Sequence, residues 1–77
     1  MKVSVIFFGQ LKDITGKSLL EIENVSDLIS LKSALQAKYP KLGEAEYIIA
    51  VGKKIVHENL LLQDNVEIAF LPPYSGG

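Results

Sequence analysis

The sequence predicts an α+β roll: a mixed sheet of about five strands, with one main helix over about residues 27–38 packed on one face. Three observations lead there. Only the stretch before Pro40 carries apolar residues at helical spacing, with Leu28, Leu31, Leu35 and Tyr39 on one side. The remaining apolar residues fall into short runs that alternate with a period of two or are rich in β-branched residues. Those runs precede and follow the helix in the order ββαβββ, which suits one sheet with a helix laid across it.

Lys2 to Phe8 reads as the first strand, with Val3, Val5 and Phe7 pointing one way and Ser4, Ile6 and Phe8 the other. Both sides turn apolar toward its end, as expected of a central strand whose second face is partly covered. Gly9 breaks the run. Gln10 to Thr15 is expected to form a short helical turn closed by Gly16, with Leu11 and Ile14 facing inward. Ser18 to Glu23 reads as the second strand, Leu20 and Ile22 alternating against Leu19, Glu21 and Glu23. The short connection makes it an antiparallel neighbour of the first.

For the main helix, Ser26 is the expected N-cap, and Asp27 sits in the first turn, where a negative charge suits the helix dipole. Ala34 flanks the apolar stripe, Ser30, Lys32, Ser33 and Gln36 form the solvated side, and Pro40 ends the helix. Ile29 lies off the stripe. Tyr47 to Val51 is a near-continuous apolar strand, and Gly52-Lys53 is a tight turn into Lys54 to His57. Leu60 to Leu62 reads as a short apolar connector of 3₁₀ type. Asp64-Asn65 marks a turn, because both side chains tolerate unusual backbone angles. Val66 to Leu71 is the last strand, with Val66, Ile68 and Phe70 on one face and Glu67, Ala69 and Leu71 on the other.

This order is that of the β-grasp, or ubiquitin-like, roll. Its first and last strands run parallel side by side at the sheet centre, so the end of the chain is expected beside Phe8. The expected division is a β-grasp domain over residues 1–71 and an extended, flexible C-terminal tail over residues 72–77.

Composition narrows the function. With 77 residues and no cysteine, the chain offers no disulfide framework, thiolate metal site or thiol nucleophile. His57 is the single histidine, too few for a zinc site or a catalytic dyad. Hydrophobic residues make up 48% of the chain, enough to carry stability by apolar burial alone. A net charge of −1 argues against a nucleic-acid partner, which calls for a strong basic footprint. Apolar runs such as Val5 to Phe8 and Tyr47 to Val51 fall far short of the ~20 residues of a membrane span. Without a signal-peptide pattern either, the expectation is a cytoplasmic domain with no membrane partner. No GxxxxGK[ST] loop is present to cradle ATP.

The sequence ends Pro72-Pro73-Tyr74-Ser75-Gly76-Gly77. Proline locks φ and pushes the preceding residue toward extended geometry, so Leu71-Pro72-Pro73 should leave the domain as a stiff arm. Gly-Gly is the thinnest segment a peptide can offer to a narrow channel. Taken alone, a Gly-Gly end is equally what a linker remnant or an expression scar would leave.

The motifs Phe7-Phe8-Gly9-Gln10-Leu11 followed by Gly16, then Ala50-Val51, then Glu67 through Gly77, together resemble the small sulfur-carrier subunit of molybdopterin synthase, a MoaD-like β-grasp family. The most specific piece is the strand running into Pro-Pro-x-x-Gly-Gly. The related thiamine-pathway sulfur carrier also ends in Gly-Gly but usually lacks Pro-Pro. Three positions depart from the family pattern: Gly52 where many relatives have Asn, Asn65 where Gly is usual, and the bulky Tyr74.

The resemblance implies a division of labour. Gly77 would be the adenylate and thiocarboxylate acceptor, and Gly76 would let the tail insert into a partner. Phe8, Ile55 and Leu71 would form an apolar docking patch, extended by Pro72, Pro73, Tyr74 and Ser75. The bland reading is that Phe8 and Leu71 fill a second small core and Ile55 is a lone exposed apolar residue. Implied partners are a molybdopterin synthase large subunit (MoaE-like), an E1-like adenylating enzyme (MoeB-like) and a persulfide sulfur donor. ATP would be used by the activating partner, with no cofactor or metal held by this chain and the catalytic side chains on the large subunit. The complex would be a heterotetramer. Sulfur would pass to precursor Z, cyclic pyranopterin monophosphate, to form the molybdopterin dithiolene in molybdenum cofactor biosynthesis. The alternatives are a thiamine-pathway-like carrier, a ubiquitin-like modifier forming isopeptide bonds through Gly77, or an interaction domain with an inert tail. For His57, Lys53 and Lys54, a solvated strand end is the expectation.

Overall fold

Val3, Val5 and Phe7 are 0%, 0% and 1% exposed, and their period-two spacing fixes which side of the first strand, β1 (Lys2–Phe7), faces the core. A computed structural model describes residues 2–73 of the chain. After β1 come a short helix α1 (Gln10–Thr15), β2 (Leu19–Glu23), the main helix α2 (Leu28–Lys38), a 3₁₀ turn (Pro40–Glu44), β3 (Ile48–Val51), β4 (Lys54–Val56) and β5 (Glu67–Leu71). The five strands form one sheet in the order β2-β1-β5-β3-β4. β1 and β5 pair in parallel at its centre, and the other neighbours are antiparallel, so the sheet is mixed as expected.

Turn chemistry sets the connections. Gly16 closes α1 in the left-handed region, and its N–H donates to the Lys12 carbonyl. Gly52 and Lys53 both have positive φ, 56° and 72°, the pairing that a two-residue hairpin needs to match strand twist. Asn65 is also left-handed, and its N–H donates to the Lys2 carbonyl, while the Lys2 N–H donates to Asp64 Oδ1. That turn therefore pins the start of β1 as well as opening the way into β5.

The start of α2 corrects the sequence expectation. Asp27, rather than Ser26, is the N-cap: its carboxylate accepts the Ser30 N–H at 2.9 Å, and Ser30 Oγ accepts the Asp27 N–H at 3.2 Å. A serine at the third helical position completes the box in place of the usual Glu or Gln, so the sequence lacks the ordinary capping-box signature. Asn59 secures the same corner by donating to Asp27 Oδ2 at 3.1 Å and accepting the Ile29 N–H at 2.8 Å. Hydrogen bonding from the Ser30 side chain, then its backbone, then Asn59 holds the Asp27 carboxyl below its ordinary value of 3.8. A depressed folded-state pKa contributes stability that is present above pH 3.8 and lost as the pH falls through the lower folded value. Asp27→Asn is accordingly expected to lower the melting temperature at neutral pH and to converge with the parent chain in acid. Parallel melting curves at every pH would contradict this.

Leu28, Leu31 and Leu35 are buried and Tyr39 is half-buried, as the helical stripe requires. Ala34 is exposed instead of flanking the stripe, and Ser30 and Lys32 are half-buried instead of solvated. Ile29 stays 59% exposed, in keeping with its place off the stripe. Pro40 ends the helix but begins the 3₁₀ turn, which drops Leu42 into the core at 0% exposure. Leu60 to Leu62 is extended, not 3₁₀: Leu28 N–H donates to the Leu60 carbonyl and Leu62 N–H to the Ser26 carbonyl. This bridge buries Leu62 and leaves Leu61 80% exposed. At the centre of the core, Phe70 meets Phe7 with ring centroids 5.6 Å apart and Tyr47 at 4.9 Å.

Candidate functional site

One face of the sheet is covered by the helices, and the other is the surface on which the candidate docking residues lie. Because alternate side chains share a face, the strand register writes out that surface row by row. Nearest the start of β1 the rows are polar: Lys2 beside Glu23, then Ser4 between Glu21 and Glu67. The next row is apolar across all five strands, running Leu19, Ile6, Ala69, Ala50, Ile55. Beyond it, where β1 and β5 end, Leu71 lies opposite Ile48, and Phe8 follows Phe7 beside it. The outer face thus changes from charged to apolar along the direction in which β5 leaves the sheet.

Exposure decides whether this is a surface or a second core. Phe8 is 44% exposed, Leu19 57% and Ile55 58%, while Ile6, Ile48, Ala69 and Leu71 are half-buried and Ala50, in mid-sheet, is buried. No element covers them, so Phe8 and Leu71 do not fill a second core among the described residues. Apolar side chains are thus accessible on the outer face at both edges of this row and at the end of the sheet where β5 stops. Phe8 follows the end of β1 and Leu71 closes the adjacent β5, so both lie at the same end of the sheet. Ile55 shares their face but lies on the edge strand, with β3 between it and Leu71, one row back. What joins them is Ile6, Leu19, Ile48, Ala50 and Ala69. The alternation of β1 and β5 already put Ile6 and Ala69 outward, but the pairing of distant strands was needed to set them edge to edge.

The root of the tail is held at the same end. Phe8 N–H donates to the Phe70 carbonyl at 3.1 Å, which fastens the end of β5 to the end of β1. Pro72 is buried and Pro73 half-buried. Pro72 also lines a recess of about 180 Å³ with Gln10, Leu11, Ile14, Ala45 and Glu46. Tyr74, Ser75, Gly76 and Gly77, four of the sequence-predicted site residues, lie outside the described residues. Lys53 and Lys54 are exposed at the β3–β4 hairpin, and His57 is exposed just past β4 on the sheet edge, near Ile48. Among the described residues no group of three His, Asp or Glu side chains is placed to hold a metal ion, and no helix is long and apolar enough to cross a membrane.

A ubiquitin-like β-grasp domain, with an apolar outer face that ends where its tail begins, is the class of protein these features define. The chain belongs to the ThiS family, whose model matches residues 5–77. A Mycobacterium tuberculosis protein named molybdopterin synthase sulfur carrier subunit is 34% identical over 82 residues, spanning 100% of this chain and 99% of the relative. A protein of the same name from Caenorhabditis briggsae is 31% identical over 83 residues, with 100% and 99% covered. Among solved structures, the complex of subunits 1 and 2 of the molybdopterin-converting factor from Helicobacter pylori matches with a TM-score of 0.77 and 33% identity, covering 100% of both chains. The small archaeal modifier protein 1 of Methanosarcina acetivorans matches with a TM-score of 0.83 and 26% identity, over 99% of this chain and 96% of that one.

Proposed function

We propose that this chain is the sulfur-carrying subunit of a molybdopterin synthase, with the carboxylate of Gly77 as its reactive group. One observation carries the reading: the exposed apolar band and the root of the Pro72–Gly77 arm occupy the same end of the sheet. A partner that covers Phe8, Leu71 and Ile48 therefore meets the arm where it starts, and its active site lies within the arm's reach. The names of the relatives and the two-subunit structure from Helicobacter pylori support the same assignment.

The chemistry follows from what a carboxylate lacks. Resonance and negative charge make it a poor electrophile, so an E1-like adenylating enzyme joins Gly77 to AMP from ATP and releases pyrophosphate. The terminal sulfur of a persulfide donor then attacks the acyl carbon and AMP leaves. A second thiol cleaves the resulting acyl disulfide, forming a new disulfide on the donor side and leaving a thiocarboxylate on Gly77. In the large subunit the thiocarboxylate sulfur attacks an oxygen-bearing side-chain carbon of the pterin precursor: the C–S bond forms as the C–O bond at that carbon breaks, and the oxygen leaves as phosphate oxygen or, with a proton, as water. Water then cleaves the acyl–sulfur bond and regenerates the carboxylate. Two sulfurs complete the dithiolene, so two loaded carriers are consumed for each pterin. Gly76 keeps the end narrow enough to insert, and Pro72 and Pro73 stiffen the approach.

Two assays test this. Loaded carrier mixed with a large subunit and cyclic pyranopterin monophosphate is expected to yield the dithiolene product and return unloaded chain; unchanged loaded chain would contradict the assignment. Phe8→Arg places a charge in the apolar band and is expected to weaken large-subunit binding by at least about tenfold, or ~1.4 kcal/mol, without changing the melting temperature. Unchanged affinity would remove Phe8 from the interface.

The likeness to the small archaeal modifier protein supports a second reading, in which the Gly77 acyl group passes to a lysine as an isopeptide bond. Both readings share the adenylation step and separate on whether the acyl acceptor is sulfur or an amine. The Pro72-Pro73 ending favours the first.

A further inference from the structure

Gly9 stands between β1 and α1 with φ 57° and ψ −134°, a combination that side chains disfavour. That backbone need is only half of what the position demands. A Cβ built on Gly9 would lie 2.7 Å from Pro72 Cγ and 3.6 Å from Pro72 Cδ. The Pro72 ring thus occupies the space that any side chain at position 9 would take. Nearby bonds hold the contact from both sides: Phe8 N–H donates to the Phe70 carbonyl, and Lys12 N–H to the Gly9 carbonyl, each at 3.1 Å. The buried Pro72 is therefore set on Gly9 immediately after the last strand residue.

We propose that Gly9 is a positioning residue for the reactive arm: it provides the seat for Pro72 and so fixes the direction in which the chain leaves the sheet at Pro73. The inference rests on the carrier reading above. The five residues beyond Pro72 span at most about 17 Å when extended, so a swing of about 20° at the root moves the tip by about 6 Å. Docking through the apolar band and delivery of Gly77 are then separable, because Gly9 acts on the arm and not on the band. A displacement of about 1 Å can cost as much as 10²-fold in a positioned reaction.

The test is a double-mutant cycle of Gly9→Ala and Pro72→Ala, read as adenylation and thiocarboxylation of the full chain by an activating enzyme with ATP and a persulfide donor. Gly9→Ala is expected to lower kcat at least about tenfold while KM for the carrier stays within about twofold. Pro72→Ala, which removes the clashing ring, is expected to lower kcat only a few fold. The double variant keeps the backbone strain at position 9 but loses the ring clash, so it is expected to recover most of the Gly9→Ala loss instead of multiplying the two losses. In the unaltered chain a nuclear Overhauser contact between the Gly9 α-protons and the Pro72 ring is expected. Equal kcat for Gly9→Ala, losses that multiply, a KM that rises with the fall in kcat, or absence of that contact would each overturn the inference. If the unaltered chain is not loaded, the carrier reading fails with it; if it is loaded and Gly9→Ala is loaded equally well, only the role of Gly9 fails.

Discussion

Removing Gly77, or adding one residue after it, is expected to abolish sulfur loading while leaving the melting temperature unchanged. The effect should be complete because the proposed reaction uses one atom group, a terminal carboxylate at a fixed reach from the Pro72 seat. Deletion leaves a carboxylate that is one residue short, and extension turns the Gly77 carboxylate into an amide that cannot be adenylated. Neither change touches the core, whose largest fully buried side chains run from Val3 to Phe70. Loading kinetics followed by mass, paired with thermal melts of the same samples, check both halves. Full loading of either variant would contradict the assigned chemistry.

Phe70→Ala is the substitution expected to cost most in stability. Phe70 is 0% exposed, lies on central β5, and meets the rings of Phe7 and Tyr47. Truncating a buried Phe to Ala costs about 3–5 kcal/mol through lost transfer energy and the cavity left behind. A domain of 77 residues has a total stability of about 4–12 kcal/mol on typical per-residue values. The substitution should therefore remove at least about a quarter of the total stability, and all of it at the lower end of that range. Ile55→Ala is the matched control: Ile55 is 58% exposed on the outer face, and surface changes of this kind usually stay within about 0.5 kcal/mol. Urea unfolding of the two variants, beside the parent chain, measures the contrast. Similar losses for both would mean that the face carrying Ile55 is a second core after all.

These two experiments divide along a line that the sequence itself drew. The helical stripe of Leu28, Leu31 and Leu35 and the alternation in β1, β2 and β5 were legible because each is a repeat within a single element. The left-handed turns at Gly16, Gly52-Lys53 and Asn65 were legible because few residue types accept those angles. What the sequence concealed were pairings between distant segments. Leu42 looks like a loop residue until the 3₁₀ turn carries it inward, and Leu60 to Leu62 looks like a connector until Ser26 and Leu28 pair with it. The Asp27 cap depends partly on Asn59, 32 residues away. In the candidate site, Phe8 and Leu71 could be paired from the expected fold. The row Leu19, Ile6, Ala69, Ala50, Ile55 required the register of all five strands, and the fit of Pro72 on Gly9 required their coordinates.

The most direct test of the central claim is the intact mass of the full chain after incubation with an E1-like activating enzyme, ATP and a persulfide donor. The account predicts a gain equal to the exchange of one oxygen for one sulfur, located by fragmentation to Gly77 and absent when ATP is withheld. An unchanged mass with an enzyme that loads its own carrier, or a gain located anywhere but Gly77, would contradict it.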